Sequence, residues 1–466
     1  MRINLRKFLT ADYWRLDTSR ATFATRHGWS NEDVDVVTPD RRTWRAIDYI
    51  WLWMSDGANV GTMQQAGSIV ALGLSWREAA AVIAIGNILI AAAIALNGVM
   101  GSRYHIPMSI ATRASMGFYF SYFTVMSRLV LGLIYFGKLR YLFLIKSIFA
   151  MVAAFALLGW AIHTGGSGPI FSQPSTIHGS TKSWAWVMGI NVAVSSKTTL
   201  ALNISDLTRY GRKPSVSYWQ FLFVPLVYWV FAFIGIVVAS SGQAIYGTVS
   251  WDPTTLIARW TNRAAAFFCA LAFGMATLGT NISTNSVAAS NDLAFLIPRW
   301  INLRRGAAIV AVLGGWATAP WKIQASATSL TTFLSGYVIV LAPIMSIMIC
   351  DYWIIRKGRL YVHMLYQNDG IYRYFRGVNW RALVAIIVAV PVNLPGLIHA
   401  INKHVVIGNY AFFYMASWLT ATAMGGGIYT VLSLLFPPTE TLVDFAVYDQ
   451  DEDVDEKRPN MTVSAV

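Results

Sequence analysis

Amide and carboxylate side chains recur within the apolar stretch from Ala276 to Gly306. On a helix with about 100° per residue, Asn281, Asn285 and Asp292 fall within roughly 40° of one another. Because amides beside lipid are costly, we expect these side chains to face a protein interior or a water-filled cavity. The alternative is that they only join neighbouring helices.

A second face of the same predicted helix consists of small residues. Ala276, Gly279, Thr280 and Ser283 lie together there and would let a neighbouring backbone approach closely. The helix therefore offers amides to one side and close contact to the other.

The first predicted span, residues 46–74, is interrupted by the polar and small residues from Ser55 to Gly61. Glycine is a poor helix former, and Asp56 and Asn59 can bond the local backbone, so the helix is expected to break here or to kink. In a secondary transporter a broken helix exposes backbone groups that can hold an ion or a substrate. Asp56 is either a coupling carboxylate or a cap on the second half of the helix.

Lys197 is a charged residue inside another predicted span, residues 184–202. Its side chain would either line a polar site or snorkel to the membrane interface. This span is also predicted to be interrupted, by Asn191 and by the polar run from Ser195 to Thr199. Just beyond it, Asp206 and Arg209 are spaced to form a structural or gating pair at a helix end.

Composition places these residues in a membrane. The chain has 466 residues, of which 56% are hydrophobic and 12% are charged, with a mean hydropathy of +0.49. Soluble domains carry about 25% charged residues, so we predict an all-α polytopic membrane protein. The net charge of +14 does not indicate a nucleic-acid partner, because the cations lie in short loops between apolar segments. The cysteines, Cys269 and Cys350, both lie in apolar runs and offer no disulfide framework or metal site.

The chain divides into three predicted regions. Residues 1–45 form a polar cytosolic arm without an evident signal peptide, residues 46–436 form the transmembrane domain, and residues 437–466 form an acidic cytosolic tail. The basic loops predict about ten crossings with both termini inside, provided that residues 122–160 cross once or an odd number of times. That stretch is abnormal, because it is too long for one span and contains Lys138, Arg140 and Lys146 among its apolar residues.

Catalytic motifs give no support to an enzyme. The sequence contains no His-x-x-x-His, GxSxG or phosphate-loop pattern, and no cofactor or metal site is predicted. An intramembrane enzyme would have to work with Asp56, Lys197 and Asp292 alone.

Ordered motifs along nearly the whole chain resemble the nucleobase-cation-symporter-1 family, and most closely its fungal uracil, uridine and allantoin permease branch. These motifs are Arg42-Thr-Trp44, Leu72-Gly-Leu-Ser-Trp76, Asn203-Ile-Ser-Asp-Leu-Thr-Arg-Tyr210, Thr280-Asn-Ile-Ser-Thr-Asn285, Asn291-Asp-Leu, Pro298-Arg-Trp-Ile-Asn302, Arg305-Gly, Phe333-Leu-Ser-Gly-Tyr337 and Asp351-Tyr-Trp353. The resemblance implies the leucine-transporter fold, with two inverted five-helix repeats, broken first and sixth helices, and two further helices. It also implies proton- or sodium-coupled uptake of a nucleobase, nucleoside or allantoin-like molecule at the plasma membrane.

The same resemblance assigns roles to particular residues. Asn285 matches an asparagine that holds the substrate ring. Lys197 occupies a substrate position of the sixth helix. The remaining substrate-site residues are Asn281, Tyr135, Asn59 and Ser196; the cation or proton site comprises Ala276, Gly279, Thr280, Asp56 and Asp292; and the gate comprises Phe333 and Leu334. Family members that use sodium usually carry a hydroxyl where this chain has Gly279, so proton coupling is favoured over sodium.

The chain departs from the family pattern in its third helix. Tyr135-Phe-Gly137 runs directly into Lys138, where the family has a tryptophan and a glutamine that contact the substrate. The end of the third helix and the whole fourth helix are therefore expected to be missing. Together with their loops they would comprise roughly 50 residues, since one membrane span needs about 20. Tyr135 could still stack on a ring. Two hypotheses stay open: a proton symporter for uracil, uridine or allantoin, or a truncated, non-transporting isoform or gene-prediction artefact. A channel fits less well.

Overall fold

The computed structural model describes residues 14–16, 23, 29–132, 140–280, 286–317, 320–323 and 325–448. Its regular elements in these residues are helices. The longer ones are α1 (Ala46–Gly57), α2 (Val60–Ala71), α3 (Trp76–Tyr104), α4 (Met108–Met116), α5 (Phe120–Gly132), α6 (Arg140–Gly165), α7 (Gly179–Asn203), α8 (Val216–Tyr246), α9 (Arg263–Thr280), α10 (Val287–Leu296), α11 (Leu303–Ala317), α12 (Ala327–Cys350), α13 (Trp380–Ile401) and α14 (Ser417–Leu435). Short helices at Ser167–Ser172, Ser205–Thr208, Pro253–Ala258, Val362–Leu365 and Ala411–Met415 lie between them.

The first span breaks as predicted. α1 ends at Gly57, Ala58 and Asn59 leave the helical conformation, and α2 begins at Val60. The side chain of Asn59 accepts a hydrogen bond from the backbone N–H of Thr62 (3.0 Å) and so caps α2. Of the two alternatives for Asp56, the cap is therefore wrong, because Asp56 belongs to the last turn of α1.

The second predicted interruption is wrong, because α7 runs unbroken from Gly179 to Asn203. Its polar side chains bond backbone carbonyl groups one turn earlier in the same helix. Ser195 Oγ donates to Asn191 O (2.5 Å), and Thr198 Oγ1 donates to Val194 O (3.1 Å). Serine and threonine hydroxyl groups can thus form hydrogen bonds inside a helix without ending it.

Within the predicted span 264–297, the described residues form α9 and α10. Asn281 and Asn285 lie outside the described residues, so their shared face with Asp292 stays a prediction. Tyr135 also lies outside the described residues.

Both ends of the described chain lie at the same end of the helical bundle. The hydroxyl of Tyr366 donates to Val34 O (3.0 Å), and the N–H of Val447 donates to Leu360 O (2.9 Å). Both bonds go to the segment between α12 and α13. Between Val34 and Val447 the chain therefore runs from one end of the bundle to the other an even number of times. Seven of the described helices are long and apolar enough to span a bilayer by themselves: α3, the last eighteen residues of α6, α8, α9, α12, α13 and α14.

Close helix packing holds the broken span in place. α8 lies against α2, and Gly235 makes this possible, since a Cβ atom there would lie 2.6 Å from Met63 Cα. On the next turn of α2, a Cβ atom on Gly67 would lie 2.5 Å from Trp251 O. Small residues permit such backbone contact in membrane bundles, where packing is the main attraction between helices.

Candidate functional site

A cavity of about 1020 Å³ lies beside the helix break. Its described walls come from α1, α2, α7, α8, α9 and α12. It extends to Asp252 and Thr254 in the segment between α8 and α9, and to Arg263 at the start of α9. Because α8 begins near the end that holds the termini and crosses once, this segment lies at the opposite end. The cavity thus reaches from the break towards the end of the bundle away from the termini. Residues with polar side chains in its lining include Asp56, Asn59, Thr62, Gln64, Gln65, Ser196, Lys197, Thr199, Tyr228, Thr277, Thr280 and Tyr337.

Lys197 points into this cavity from α7 and is only 2% exposed. Its ammonium group donates to three oxygen atoms: Ser196 Oγ (3.1 Å), Ala193 O (3.2 Å) and Gln65 Oε1 (3.3 Å). An ammonium has three donors, so these acceptors match its full capacity. The snorkelling alternative is thereby excluded for this conformation, because the charge lies within the protein rather than at an interface.

Tyr228 of α8 links Lys197 to the broken helix. The Lys197 Nζ atom lies 4.3 Å from the centroid of the tyrosine ring, a cation–π contact. The hydroxyl of the same ring donates to Asp56 Oδ2. One side chain therefore contacts the buried cation with its face and a buried carboxylate with its hydroxyl group. Tyr228 was not predicted from the sequence, where it is one aromatic residue among many in an apolar run.

The other predicted substrate and gate residues that are described also line the cavity. Asn59 does so at the break, where its amide also donates to Asp56 O, and Ser196 does so beside Lys197. Phe333 and Leu334 line it from α12. One turn along α12, the Tyr337 hydroxyl donates to Ser195 O and joins that helix to α7.

The predicted small-residue face of α9 packs towards α1. Ala276, Gly279 and Thr280 are buried, and Thr280 Oγ1 donates to Ser55 O (3.2 Å) in the last turns of α1. Thr280 thus contacts the broken helix at the residue that precedes Asp56, and both Thr280 and Asp56 line the cavity. Whether they hold an ion stays a prediction.

Asp292 lies in a different cluster. It forms an ion pair with Arg128 of α5, and both side chains are 1% exposed. Arg128 also lies 3.7 Å from Asp206. Asp292 is not among the described residues that line the cavity.

Arg209 contacts this cluster through Asn291, the residue before Asp292. Its guanidinium donates to Asn291 Oδ1 (3.3 Å) and also to Asp33 O (2.9 Å). The predicted Asp206–Arg209 pair is thus wrong in its partner, because the ion pair of Asp206 is with Arg128. Sequence reasoning missed Arg128, although an arginine within the apolar stretch 122–160 was a usable signal.

One side of the cavity is formed by residues on the outer surface of α9. Phe267 and Leu278 line the cavity and are 62% and 57% exposed. Gly274 lies between them, with open space where a Cβ atom would be. In the described residues, no helix covers this side of the cavity wall.

A helical membrane bundle with a polar cavity at a broken helix has the architecture of a secondary transporter. A family model described as a permease for cytosine/purines, uracil, thiamine and allantoin matches residues 36–142 and 137–420. The chain belongs to this family of permeases, the nucleobase-cation-symporter-1 family.

Individual relatives and a solved structure agree with this assignment. An uncharacterized permease of Schizosaccharomyces pombe is 35% identical over 90% of this chain and 86% of its own length. The allantoin permease of Saccharomyces cerevisiae is 28% identical over 89% of this chain and 77% of its own length. The structure of Mhp1, a nucleobase-cation-symport-1 family transporter in a closed conformation with bromovinylhydantoin bound, is similar with a TM-score of 0.66. That match has 18% identity and covers 88% of this chain and 97% of Mhp1, so it shows the leucine-transporter-like fold.

The comparisons also bear on the unusual third helix. The family model matches in two blocks that meet at residues 137–142, where the sequence departs from the family pattern. The alignment with the S. pombe permease runs over 486 positions, more than the 466 residues of this chain. That relative therefore contains residues with no counterpart here.

Proposed function

We propose that this chain is a secondary active transporter, a proton symporter of the plasma membrane that imports a nucleobase-like substrate such as uracil, uridine or allantoin. The observation that carries the proposal is the cavity at the break between α1 and α2, with the buried Lys197 in its wall. A cavity at interrupted helices suits a small polar substrate, because the break leaves backbone groups and buried side chains that can bond it.

The substrate would lie between Lys197 and Asn285, with Asn59, Asn281 and Ser196 nearby and Tyr135 as a stacking partner. Two direct hydrogen bonds at about 1 to 2 kcal/mol each and about 1 kcal/mol from ring stacking would give useful affinity only in a largely preformed site. The contacts of Lys197 support such preorganisation, since its ammonium group is held by three oxygen atoms. A ligand oxygen would replace one of them.

The direction of import rests on the position of the termini. With both termini cytosolic, the cavity would open to the outside in this conformation. The cluster of Arg128, Asp206 and Asp292 would then lie towards the cytosol and would help to close that side. Alternating access requires closing one side and opening the other around the site. Phe333 and Leu334 would close over the bound substrate.

Asp56 is the better-placed proton carrier of the two predicted ones. It lines the cavity and accepts a hydrogen bond from Tyr228, so a proton could reach it from the cavity. Asp292 is paired with Arg128 in the other cluster, which supports a structural role for it. Ala276, Gly279 and Thr280 would form the α9 side of the coupling site, with proton coupling preferred to sodium.

The test is uptake of radiolabelled uracil, uridine and allantoin into permease-null cells. We expect accumulation of at least one substrate that depends on an inward proton gradient and not on sodium, and its loss in Asn285→Ala and in Asp56→Asn. A wild-type chain that reaches the plasma membrane but transports none of the three substrates would overturn the proposal. Sodium-dependent uptake would overturn proton coupling alone.

A second candidate function is that of a non-transporting isoform. The observations in its favour are the division of the family match at residues 137–142 and the uncovered wall at α9. Sequencing the transcript separates the candidates. A message with about 150 additional bases, or roughly 50 codons, would be long enough to encode the missing spans, since one span needs about 20 residues. That result would identify this chain as a gene-prediction artefact. A continuous message without them, combined with no uptake, would favour the isoform.

A further inference from the structure

We propose that Gln65 is the positioning residue that fixes the ammonium group of Lys197 in the cavity and thereby determines how a substrate is bound. This inference rests on the proposed transport function, but the contact on which it depends can be tested without a substrate.

The carboxamide of Gln65 is held at both of its ends. Its Nε2 atom donates to Val192 O and to Ser196 Oγ (2.8 Å), which uses both N–H groups. This orientation leaves Oε1 facing Lys197, from which it accepts a hydrogen bond of 3.3 Å. The amide therefore cannot turn over without losing two donated hydrogen bonds.

Gln65 is the only one of the three oxygen-bearing partners of Lys197 that comes from another helix. Ala193 and Ser196 lie on α7 with the lysine, whereas Gln65 lies on α2, immediately after the break. The bond thus joins the second half of the broken helix to α7 inside the cavity wall. Movement of α2 relative to α7 would change the environment of the cation.

The charge makes this bond more important than a neutral packing contact. Lys197 is almost fully buried, and the three oxygen atoms that accept its hydrogen bonds are all uncharged. A buried cation needs hydrogen-bond acceptors, and loss of one leaves a donor unsatisfied or turns the group towards another acceptor. Without Gln65, the ammonium would reorient towards the cavity and would no longer be presented in one position.

The experiment is a double-mutant cycle with Gln65→Met, Lys197→Met and the double variant. Methionine keeps an unbranched side chain of similar length in the helix and removes the amide. If Gln65 acts through Lys197, Gln65→Met should raise KM for the transported substrate about tenfold with little change in maximal rate at matched surface level. In the Lys197→Met background the same change should have almost no further effect.

The melting midpoint of the purified, substrate-free protein provides the second readout of the same cycle. Here too the effects of the two substitutions should be non-additive. Gln173→Met is the matched control, because Gln173 lies outside the cavity lining and donates to Ser240 O (3.0 Å). We expect its KM to be that of the wild type.

A Gln65→Glu variant covers the case in which Gln65→Met fails to reach the membrane. The glutamate carboxylate retains an oxygen that accepts from Lys197 but lacks both N–H donors of the glutamine. Gln65→Glu should therefore impair transport and stability much more when Lys197 is methionine, because the buried carboxylate then has no cation beside it. Additive effects in both readouts would overturn the inference while leaving transport intact. A wild type that transports none of the three substrates would count against the proposed function, and the melting cycle would then decide the Gln65–Lys197 contact by itself.

Discussion

The Lys197 ammonium group lies against the face of the Tyr228 ring, with Nζ 4.3 Å from the ring centroid. The hydroxyl of that ring donates to Asp56, so a cation and a carboxylate from different helices share one aromatic partner. Cation–π contacts contribute about 2 kcal/mol when they are shielded from water. The ring and the hydroxyl of Tyr228 therefore have separable roles.

Tyr228→Phe should separate these two roles. The variant keeps the ring under Lys197 and removes the donor to Asp56, and hydrogen bonds to charged groups are worth about 1.5 to 3 kcal/mol. We expect an uptake rate about tenfold below wild type, measured as initial uptake at equal surface level. Tyr228→Leu loses the ring as well and should be more severely impaired. Equal effects of the two substitutions would contradict this division.

Arg128→Met should destabilise the folded protein. It would leave Asp292 and Asp206 buried without their arginine, and removal of one partner from a buried ion pair costs about 3 to 5 kcal/mol. The measurement is the free energy of unfolding or the melting midpoint in detergent. Arg41→Ala is the control, because Arg41 pairs with Glu32 at 3.8 Å on the surface, where such a pair contributes about 1 kcal/mol or less. Comparable losses in both variants would show that the buried cluster is not a structural unit.

Gly235→Ala should disturb the packing of α8 on α2. The added Cβ atom would lie 2.6 Å from Met63 Cα and 2.7 Å from Met63 O, so the helices must separate, at a cost of about 1 to 3 kcal/mol. We expect lower surface expression and a lower melting midpoint. Gly159→Ala in α6 meets no atom within 4 Å and should behave as wild type. A normal melting midpoint for Gly235→Ala would refute the close approach.

The pH dependence of stability should include a contribution from His105. Burial lowers the pKa of this imidazole, which is bonded to Arg209 O at 2.9 Å. Below the unfolded pKa of about 6.5, the unfolded chain takes up a proton that the folded chain resists, so stability falls as the pH falls. His105→Asn suits the left-handed conformation at this position (φ 59°) and should flatten the change in melting midpoint between about pH 6.5 and pH 5. An unchanged slope would exclude His105 as a contributor.

The sequence predicted the features that depend on local chemistry. The break at Ala58 and Asn59 follows from glycine and small polar residues within an apolar span, and Lys197 stood out as a charge in such a span. The family and the helical fold were likewise predicted from motifs, and Phe333 and Leu334, the predicted gate residues, line the cavity. The assignment of the cap to Asn59 rather than Asp56 depended on backbone geometry that residue types alone do not determine.

Features that depend on side-chain orientation or on distant contacts were not predictable. α7 remains helical through Ser195 and Thr198 because their side chains bond carbonyl groups within the helix, a choice that spacing does not reveal. The pairing of Arg128 with Asp292 joins helices far apart in the chain. The contacts of Gln65 and Tyr228 with Lys197 depend on how α2, α7 and α8 pack around one cavity, which residue types alone do not show.

Arg209 lies beside the cluster of Arg128, Asp206 and Asp292, and these four side chains together carry two positive and two negative formal charges, which cancel inside the bundle. Replacing any one of them by a neutral residue leaves a net charge in a poorly polarisable environment, whereas replacing an oppositely charged pair does not. Among descendants and relatives of this chain, substitutions at these four positions should therefore arise together, as compensated pairs.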